Sequence, residues 1–295
     1  MSPAADPPAA APPSAPTRPL AGRRILVTRA SEQAPALTRQ LRELGAEVVE
    51  APAIRLTDPP DWAPLDAALG RLADYDWIVF TSQNTLPRLL ARMAERGLPA
   101  EALRGRRLAA IGEATAAGLR AHGLAVAGVA AEFRAEGVAE LLAREPLAGK
   151  RILLPRALVA RDVLPETLRR LGATVDVAPV YQTVEDPEGA ATARRVLAAG
   201  GAGAVDAVTF TAASTVGAFL AALRAAGDPA LLERLRGICL ASIGPVTSAR
   251  LRAEGFAPTV EASPYTVPDL VNALAAHFAA GGPTRPGPTA ATEDR

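Results

Sequence analysis

The sequence predicts two doubly wound α/β domains, each built on a parallel β-sheet and related by an internal duplication. Three observations support this fold class. The chain has 295 residues, more than one ordinary domain needs. Segments of the first half return in the second half about one domain length later. Within each half, short apolar runs alternate with amphipathic stretches that end at glycine, which is typical of strands alternating with helices.

The repeated segments keep the same order in both halves of the chain. The four pairs are RRILVTRA (from Arg23) and KRILLPRA (from Lys150); LRELGAEVVEAPAIRLT (from Leu41) and LRRLGATVDVAPVYQTV (from Leu168); YDWIVFTSQNTLPRLLARM (from Tyr75) and VDAVTFTAASTVGAFLAAL (from Val205); IGEATAAGLRAHG (from Ile111) and IGPVTSARLRAEG (from Ile243). Copies of this size are whole structural units rather than turns of a solenoid.

The first copy predicts five strands with helices between them. In order, the strands are ILVT (25–28), AEVVEAP (46–52), WIVFTS (77–82), RLAAIG (107–112) and LAVAGVA (124–130). The intervening amphipathic stretches end near Gly45, Gly97 and Gly123, and glycine commonly closes a helix. Because the apolar runs are short and nearly continuous, we expect parallel strands covered by helices on both faces.

The chain is expected to pass between the domains at two proline-marked segments. PAIR begins at Pro52 and PVYQ begins at Pro179, and each follows the second strand of its copy. Polar, proline-containing sequences come next, TDPPD in the first copy and EDPEG in the second, and both are predicted as loops.

Composition excludes several classes of function. The net charge is +1, so no broad basic surface indicates nucleic-acid binding. One cysteine, Cys239, cannot form a disulfide framework or a cysteine-rich zinc site. His122 and His277 are the only histidines, which gives poor support to a metal site or a Ser-His-Asp triad. No G-x-G-x-x-G follows the first strand and no Walker A sequence occurs, so we expect no bound cofactor and no metal.

The two ends of the chain are rich in proline and alanine or glycine. Residues 1–21 lack the apolar core of a secretory signal, and residues 281–295 resemble them in composition, so both are predicted to be disordered tails. No apolar run approaches the roughly 20 residues that span a bilayer. We therefore expect a folded region over 22–280 and a cytoplasmic protein that binds no membrane.

Hydroxyls, glycines and arginines follow the predicted strands, where ligands of open parallel sheets bind. The candidate binding residues are Arg29, Ser82, Asn84, Gly112, Thr115, Arg156, Arg161, Ser214, Gly244 and Thr247. Free N–H groups and the helix dipole at such positions favour an anionic ligand. Lys150 is the only lysine, so the cationic side chains that bind such an anion are expected to be arginines.

Each of these assignments has a purely structural alternative. Serine, threonine and asparagine are also the preferred caps of any helix, although Thr115 and Thr247 are expected inside the first turn, beyond the single capping position. Tyr181, in the second crossing segment, corresponds to Ile54 of the first copy. Its phenol is a candidate acid where histidine is absent, or the ring simply packs at the domain boundary.

Several of these segments together resemble uroporphyrinogen-III synthases. The segments are FTSQN, IGEATAAGL, PRALVARDVLP, VYQTV, TFTAAST, IGPVTSARL and ASPYTVPDLVNAL, and the resemblance runs from Gly22 to Phe278. It implies two flavodoxin-like domains joined by a two-stranded linker. One domain would combine 22–53 with 183–280, and the other would be 57–179.

The resemblance also implies a reaction. The family cyclises hydroxymethylbilane, a linear tetrapyrrole with eight carboxylates, to uroporphyrinogen III with loss of water and inversion of ring D, and needs no cofactor or metal. Tyr181 matches the tyrosine that assists loss of the hydroxyl. Ser82, Ser214, Thr115 and Thr247 match hydroxyls near the substrate. A transient contact with the enzyme that makes hydroxymethylbilane is also implied.

Together these features give the repeated Ile-Gly phrase a function. We expect each Ile-Gly repeat to end a strand and lead into the N-terminus of a helix, one in each domain. The two helix N-termini would then bind carboxylates of the substrate across a cleft and fold the flexible bilane for ring closure. The alternative is a non-catalytic two-domain module that binds a polyanionic ligand. A DNA-associated regulator on the same fold is disfavoured by the near-neutral charge.

Overall fold

The computed structural model describes residues 18–132 and 134–282. Of the predicted disordered tails, 1–17 and 283–295 lie outside the described residues. The tail predicted over 1–21 extends too far, because Leu20 belongs to the folded part of the chain. Leu20 is fully buried, and its N–H donates to the Leu44 carbonyl at 3.0 Å. Its side chain packs with the first helix, which offsets the cost of ordering this short segment.

The chain forms two compact units. One contains the described residues up to Arg55 together with those from Glu185 onward, and the other is Leu56–Val184. The chain therefore changes unit twice, inside strand β3 (Ile54–Thr57) and inside strand β8 (Thr174–Glu185), which are neighbours in one sheet.

The discontinuous unit contains five strands. Its elements are β1 (Arg24–Val27), α1 (Pro35–Glu43), β2 (Glu47–Glu50), α7 (Pro187–Ala198), β9 (Ala207–Phe210), α8 (Ala213–Ala225), α9 (Pro229–Arg236), β10 (Cys239–Ser242), α10 (Pro245–Ala253), β11 (Val260–Glu261) and α11 (Val267–Ala279). The strand order is β11-β10-β9-β1-β2, and the strands pair in parallel. This is the doubly wound order of flavodoxin-like sheets.

Both faces of this sheet are covered. Leu26 of β1 packs on one face with α7, α8, α9 and α10, whereas its neighbours Ile25 and Val27 pack on the other with α1 and α11. Alternate residues of a strand point to opposite faces, so a continuous apolar run is needed where both faces are buried. That requirement explains the RILV sequence of β1.

The Leu56–Val184 unit holds a six-stranded sheet. Its remaining elements are α2 (Ala63–Leu69), β4 (Trp77–Phe80), α3 (Thr85–Glu95), β5 (Arg107–Ala110), α4 (Glu113–Ala121), β6 (Val126–Val129), α5 (Ala135–Leu142), β7 (Arg151–Ala157) and α6 (Val163–Arg170). The strand order is β3-β8-β7-β4-β5-β6. Helices α2, α3 and α4 cover one face, and α5 and α6 cover the other.

The predicted fold class is therefore confirmed. In each sheet, the first two strands of one sequence copy lie beside the last three strands of the other: β1 and β2 join β9, β10 and β11, while β7 and β8 join β4, β5 and β6.

Several details of the sequence prediction are wrong. The strands predicted over 46–52 and 124–130 are shorter in the structure, at Glu47–Glu50 and Val126–Val129. Strands predicted over 77–82 and 107–112 end at Phe80 and Ala110, because the polar and glycine residues that follow already lead into helices. EDPEG is not a loop but the start of α7: Asp186 caps the helix by accepting from the N–H groups of Glu188 (3.0 Å) and Gly189 (2.9 Å), and Pro187 occupies the first turn.

Candidate functional site

In the Leu56–Val184 unit, the helices that follow neighbouring strands β7 and β4 lie on opposite faces of the sheet. Helix α6, after β7, packs through Leu164 and Leu168 on one face, and α3, after β4, packs through Leu86 and Leu89 on the other. The winding reverses at this point, and open parallel sheets bind ligands beyond the strand ends there. The loops after β7 and β4 therefore flank the candidate site of this unit.

Tyr181 lies at this edge because β8 bulges against β7. Arg156 pairs with Pro179, but the next residue, Ala157, pairs with Tyr181, so Val180 is skipped. Val180 and Tyr181 are buried in the same cluster, although successive residues of a regular strand face opposite ways. A bulge that re-aims a side chain beside a site is a recurrent feature of sheets.

The Tyr181 hydroxyl is not used to hold the fold together. The residue is 6% exposed, and its ring packs in the same cluster as Leu86 and Leu89. Its carbonyl accepts a hydrogen bond from the Leu158 N–H at 2.8 Å. No hydrogen bond among the described residues involves the phenol oxygen. The hydroxyl can therefore donate to, or accept from, a ligand.

Thr115 lies in the first turn of α4, after strand β5. Gly112 is the N-cap and has extended backbone, and Thr115 N–H donates to its carbonyl at 3.1 Å. Thr115 is 4% exposed, and its Oγ1 is buried with no hydrogen-bond partner within the described chain. A buried hydroxyl without a partner is unfavourable, so this oxygen is suited to a ligand that completes it.

Ser82 and Asn84 form the turn between β4 and α3. The Ser82 Oγ accepts from the Asn84 N–H at 3.2 Å, and both residues are half-buried. Ser82 thus has a structural function in this turn, as the capping alternative allowed.

Arg156 and Arg161 are placed very differently. Arg156 is 9% exposed and its guanidinium donates to the Arg161 carbonyl (2.9 Å) and the Asp162 carboxylate (2.5 Å). Its charge is already neutralised, so this geometry favours a role in shaping the loop over direct contact with an anion. Arg161 is exposed, and no carboxylate among the described residues pairs with it.

In the discontinuous unit, Arg29 follows β1 at the equivalent reversal of winding. Its neighbour strand is β9, and α1 and α8 lie on opposite faces. The guanidinium is half-buried, and its Nε donates to Gln33 at 3.2 Å. Burial lowers the pKa of Arg29. No carboxylate in the described part of the chain pairs with it, so its charge is available to an anion.

The other predicted residues of this unit lie at helix N-termini. Ser214 is exposed in the first turn of α8. Gly244 is the N-cap of α10, and Thr247, in its first turn, is 3% exposed. Ser242 and Ser248, 2.5 Å apart between their Oγ atoms, fasten the end of β10 to this helix.

Two residues near these sites were missed. Thr85, in the first turn of α3, is fully buried and its Oγ1 has no partner in the described chain. The aromatic ring of Tyr265 packs on Gly244. The Tyr265 contact joins two distant loops, and neither periodicity nor spacing indicates it.

Two general features bear on function. Among residues 18–132 and 134–282, no group of histidine, cysteine and acidic side chains is arranged to hold a metal ion. In the same part of the chain, every helix is too short or too polar to cross a membrane.

Comparison with known proteins gives one consistent family. The sequence model described as uroporphyrinogen-III synthase HemD matches residues 35–272. A uroporphyrinogen-III synthase of Synechococcus elongatus is 31% identical over 266 residues, which cover 87% of this chain and 96% of that protein. A putative uroporphyrinogen-III synthase of Methanothermobacter thermautotrophicus is 32% identical over 255 residues, covering 85% and 97%.

A solved structure agrees in fold. The crystal structure of a mutant uroporphyrinogen III synthase from Thermus thermophilus aligns with a TM-score of 0.57 over 85% of this chain and 97% of that chain. The two sequences are 20% identical, so this likeness is evidence for the fold alone.

Proposed function

This chain belongs to the uroporphyrinogen-III synthase family, and we propose on that basis that it cyclises hydroxymethylbilane to uroporphyrinogen III with inversion of ring D. The observation that carries the proposal is the family match over residues 35–272, which includes the strand ends of both units. The reaction belongs to tetrapyrrole biosynthesis.

The carboxyl ends of the strands are proposed to bind carboxylates of the substrate. In the Leu56–Val184 unit, the unpartnered Oγ1 of Thr115 and the exposed guanidinium of Arg161 support this assignment. In the other unit, Arg29 and the first turn of α10 at Thr247 support it. Free N–H groups and guanidinium forks are both suited to carboxylates.

Tyr181 is proposed to donate the proton that allows the hydroxyl to leave. The C–O bond of the hydroxymethyl group breaks as the phenol proton reaches the oxygen, and water departs. The pyrrole nitrogen supplies electrons to form an azafulvene cation, and the substituted α-carbon of ring D attacks it to give a spiro intermediate. The bond between that carbon and the methylene bridge to ring C then breaks, and the bridge bonds again at the free α-carbon of ring D, which inverts the ring. The proton lost as the pyrroles regain aromaticity balances the one that Tyr181 gave. Support comes from the bulge that turns Tyr181 and from its unused hydroxyl.

The overall change is an elimination of water with ring closure, so the enzyme is proposed to be a lyase. The reaction neither oxidises nor reduces the bilane, and therefore needs no redox cofactor. Proton donation from a side chain can replace a Lewis acid at the leaving hydroxyl. We accordingly propose cofactor-independent catalysis.

Two further parts of the proposal concern the cell. Hydroxymethylbilane closes spontaneously to the type I isomer, so a transient contact with the enzyme that makes it would limit this loss. A cytoplasmic location is also proposed, and fractionation of cells that produce the chain would test it.

The test is to mix purified protein with freshly prepared hydroxymethylbilane and to identify the product isomer. Uroporphyrinogen III, formed faster than spontaneous closure, is the expected product. Type I product at the spontaneous rate would contradict the enzymatic proposal, and retained binding of the bilane in that case would indicate a non-catalytic binding module.

A further inference from the structure

Large hydrophobic side chains are exposed at the carboxyl edge of the discontinuous unit. In the described part of this unit, Val246 is 75% exposed and Tyr265 is 62% exposed, whereas the other large apolar side chains are buried or half-buried. Val246 lies in the first turn of α10, and Tyr265 lies in the loop after β11. Exposed apolar side chains concentrated at one place on a surface commonly mark a binding site.

The Tyr265 ring lies directly on the N-cap of α10. A Cβ atom built on Gly244 would be 2.9 Å from Tyr265 Cδ1 and 3.0 Å from Cγ, closer than real Cβ atoms approach carbon. The absence of a side chain at Gly244 is therefore what allows the ring to rest against the backbone there. The ring is fixed on one side by this contact and exposed on the other.

Polar groups beside this ring lack partners. The N–H groups of Val246 and Thr247 make no hydrogen bond with any described residue, as the first turn of a helix leaves them free. Thr247 is more than nine-tenths buried, and its hydroxyl has no partner in the described chain either. An apolar surface and a set of anion-binding donors thus adjoin each other.

We propose that Tyr265 and Val246 contact the face of one pyrrole ring of the substrate, while a carboxylate of that ring binds the first turn of α10. A pyrrole bearing carboxylate side chains combines a flat apolar face with an anion, which matches the two parts of this surface. Aromatic rings in such contact add a modest, geometry-dependent attraction. This inference rests on the proposed function and adds a substrate-binding residue to it.

The role assigned to Tyr265 is binding rather than proton transfer. Removal of the ring should therefore weaken binding of the bilane before ring closure and leave the chemical step unchanged. Tyr265→Phe keeps the aromatic face and should behave as the wild type. Leu171→Ala is a matched control, because Leu171 is another exposed apolar residue (43%) but lies at the C-terminal end of α6, in the other unit.

The experiment measures KM, kcat and product isomer with hydroxymethylbilane for the wild type and the three variants. Formation of uroporphyrinogen III by the wild type and Leu171→Ala establishes the activity independently of Tyr265. We expect Tyr265→Ala to raise KM up to about tenfold, equivalent to about 1.4 kcal/mol, with kcat changed less than about twofold. An unchanged KM in Tyr265→Ala, or an equal rise in Tyr265→Phe, would overturn the inference.

A second variant tests the contact between Gly244 and the ring. Gly244→Ala keeps the backbone N–H groups but displaces the Tyr265 ring, so it should raise KM in the wild-type background. In the Tyr265→Ala background the same change should have much less effect, because the ring is already absent. Equal effects in both backgrounds would show that the ring does not contribute, and would also overturn the inference.

Discussion

Tyr181, and not Val180, stands opposite Ala157 at the end of the β7–β8 ladder. Because one residue is skipped, two successive side chains of β8 are buried on the same face. The bulge thus brings an unused phenol to the carboxyl edge of the sheet while the strand continues beyond it to Glu185. The local backbone irregularity is what places Tyr181 at this edge of the sheet.

Thr115→Val should increase stability and weaken substrate binding. The variant removes a buried oxygen that has no partner in the described chain, so the free energy of unfolding should rise by about 1 kcal/mol. Loss of a hydrogen bond to a carboxylate should raise KM severalfold, by a similar free energy. Denaturant unfolding and steady-state kinetics on the same samples measure both effects.

The control for this prediction is Thr85→Val. The Thr85 Oγ1 is also buried without a partner in the described residues, but Thr85 is 0% exposed, against 4% for Thr115, and is assigned no contact with the substrate. It should show the gain in stability with an unchanged KM. Equal changes of KM in both variants would refute the assignment of Thr115 as a substrate contact.

Gly189→Ala should be strongly destabilising. A Cβ atom on Gly189 would lie 2.0 Å from the Pro52 carbonyl oxygen, so the backbone of α7 or of the segment after β2 would have to move. Overpacking of this kind costs about 1–3 kcal/mol of unfolding free energy. Gly118→Ala, in α4 with open space around the new methyl group, should be neutral or stabilising. Urea unfolding of both variants tests the contrast, which fails if Gly189→Ala is as stable as Gly118→Ala.

The carboxylate of Asp76 should make the free energy of unfolding depend on pH. It accepts from Lys150 Nζ and from the Arg151 N–H, both at 2.9 Å, and these contacts lower its pKa below the ordinary value of 3.8. A lowered folded-state pKa adds stability above the unfolded-state value, and this stability is lost as the pH falls through the folded-state pKa. Asp76→Asn should therefore be less stable than the wild type at neutral pH, and the difference should shrink in acid.

Unfolding by urea at a series of pH values checks this dependence. Asp74→Asn, an exposed neighbour that forms no ion pair with any described residue, serves as the matched control and should differ little from the wild type throughout. A stability difference for Asp76→Asn that persists unchanged below pH about 3 would show that its ion pair does not contribute as described.

The sequence was sufficient for the alternation of strands and helices because both faces of each sheet are covered. Short apolar runs such as WIVF are buried along their whole length, and this requirement is visible in the residues themselves. The sequence was not sufficient, in contrast, to assign each strand to one of the two units. Equivalent strands of two similar copies have nearly the same side chains, so internal repetition alone does not specify which copy each strand joins.

The candidate site was predicted only in part, for local and non-local reasons. Residues after strands could be found because strand ends and helix starts are local features, as Gly112 and Thr115 illustrate. The internal partners of Arg156 depend on how the following loop folds back on it. The packing of Tyr265 on Gly244 joins two loops that follow different strands, and no sequence pattern indicates it.

Tyr75 provides the matched control for the catalytic assignment. Tyr75 lies just before the start of β4, at the opposite end of the sheet from Tyr181. Its hydroxyl donates to Asp176 Oδ2 at 2.8 Å. Burial, together with this hydrogen bond, raises the pKa of Tyr75 to about 12. Tyr75→Phe should therefore cost stability, about 1 kcal/mol, without altering turnover.

The most direct test of the account is kcat at saturating hydroxymethylbilane for Tyr181→Phe beside Tyr75→Phe. If the Tyr181 hydroxyl donates the proton to the leaving oxygen, Tyr181→Phe should lower kcat by about a hundredfold with little change in KM, and Tyr75→Phe should keep the wild-type kcat. Wild-type kcat in Tyr181→Phe would contradict the account and leave Tyr181 a packing residue of β8.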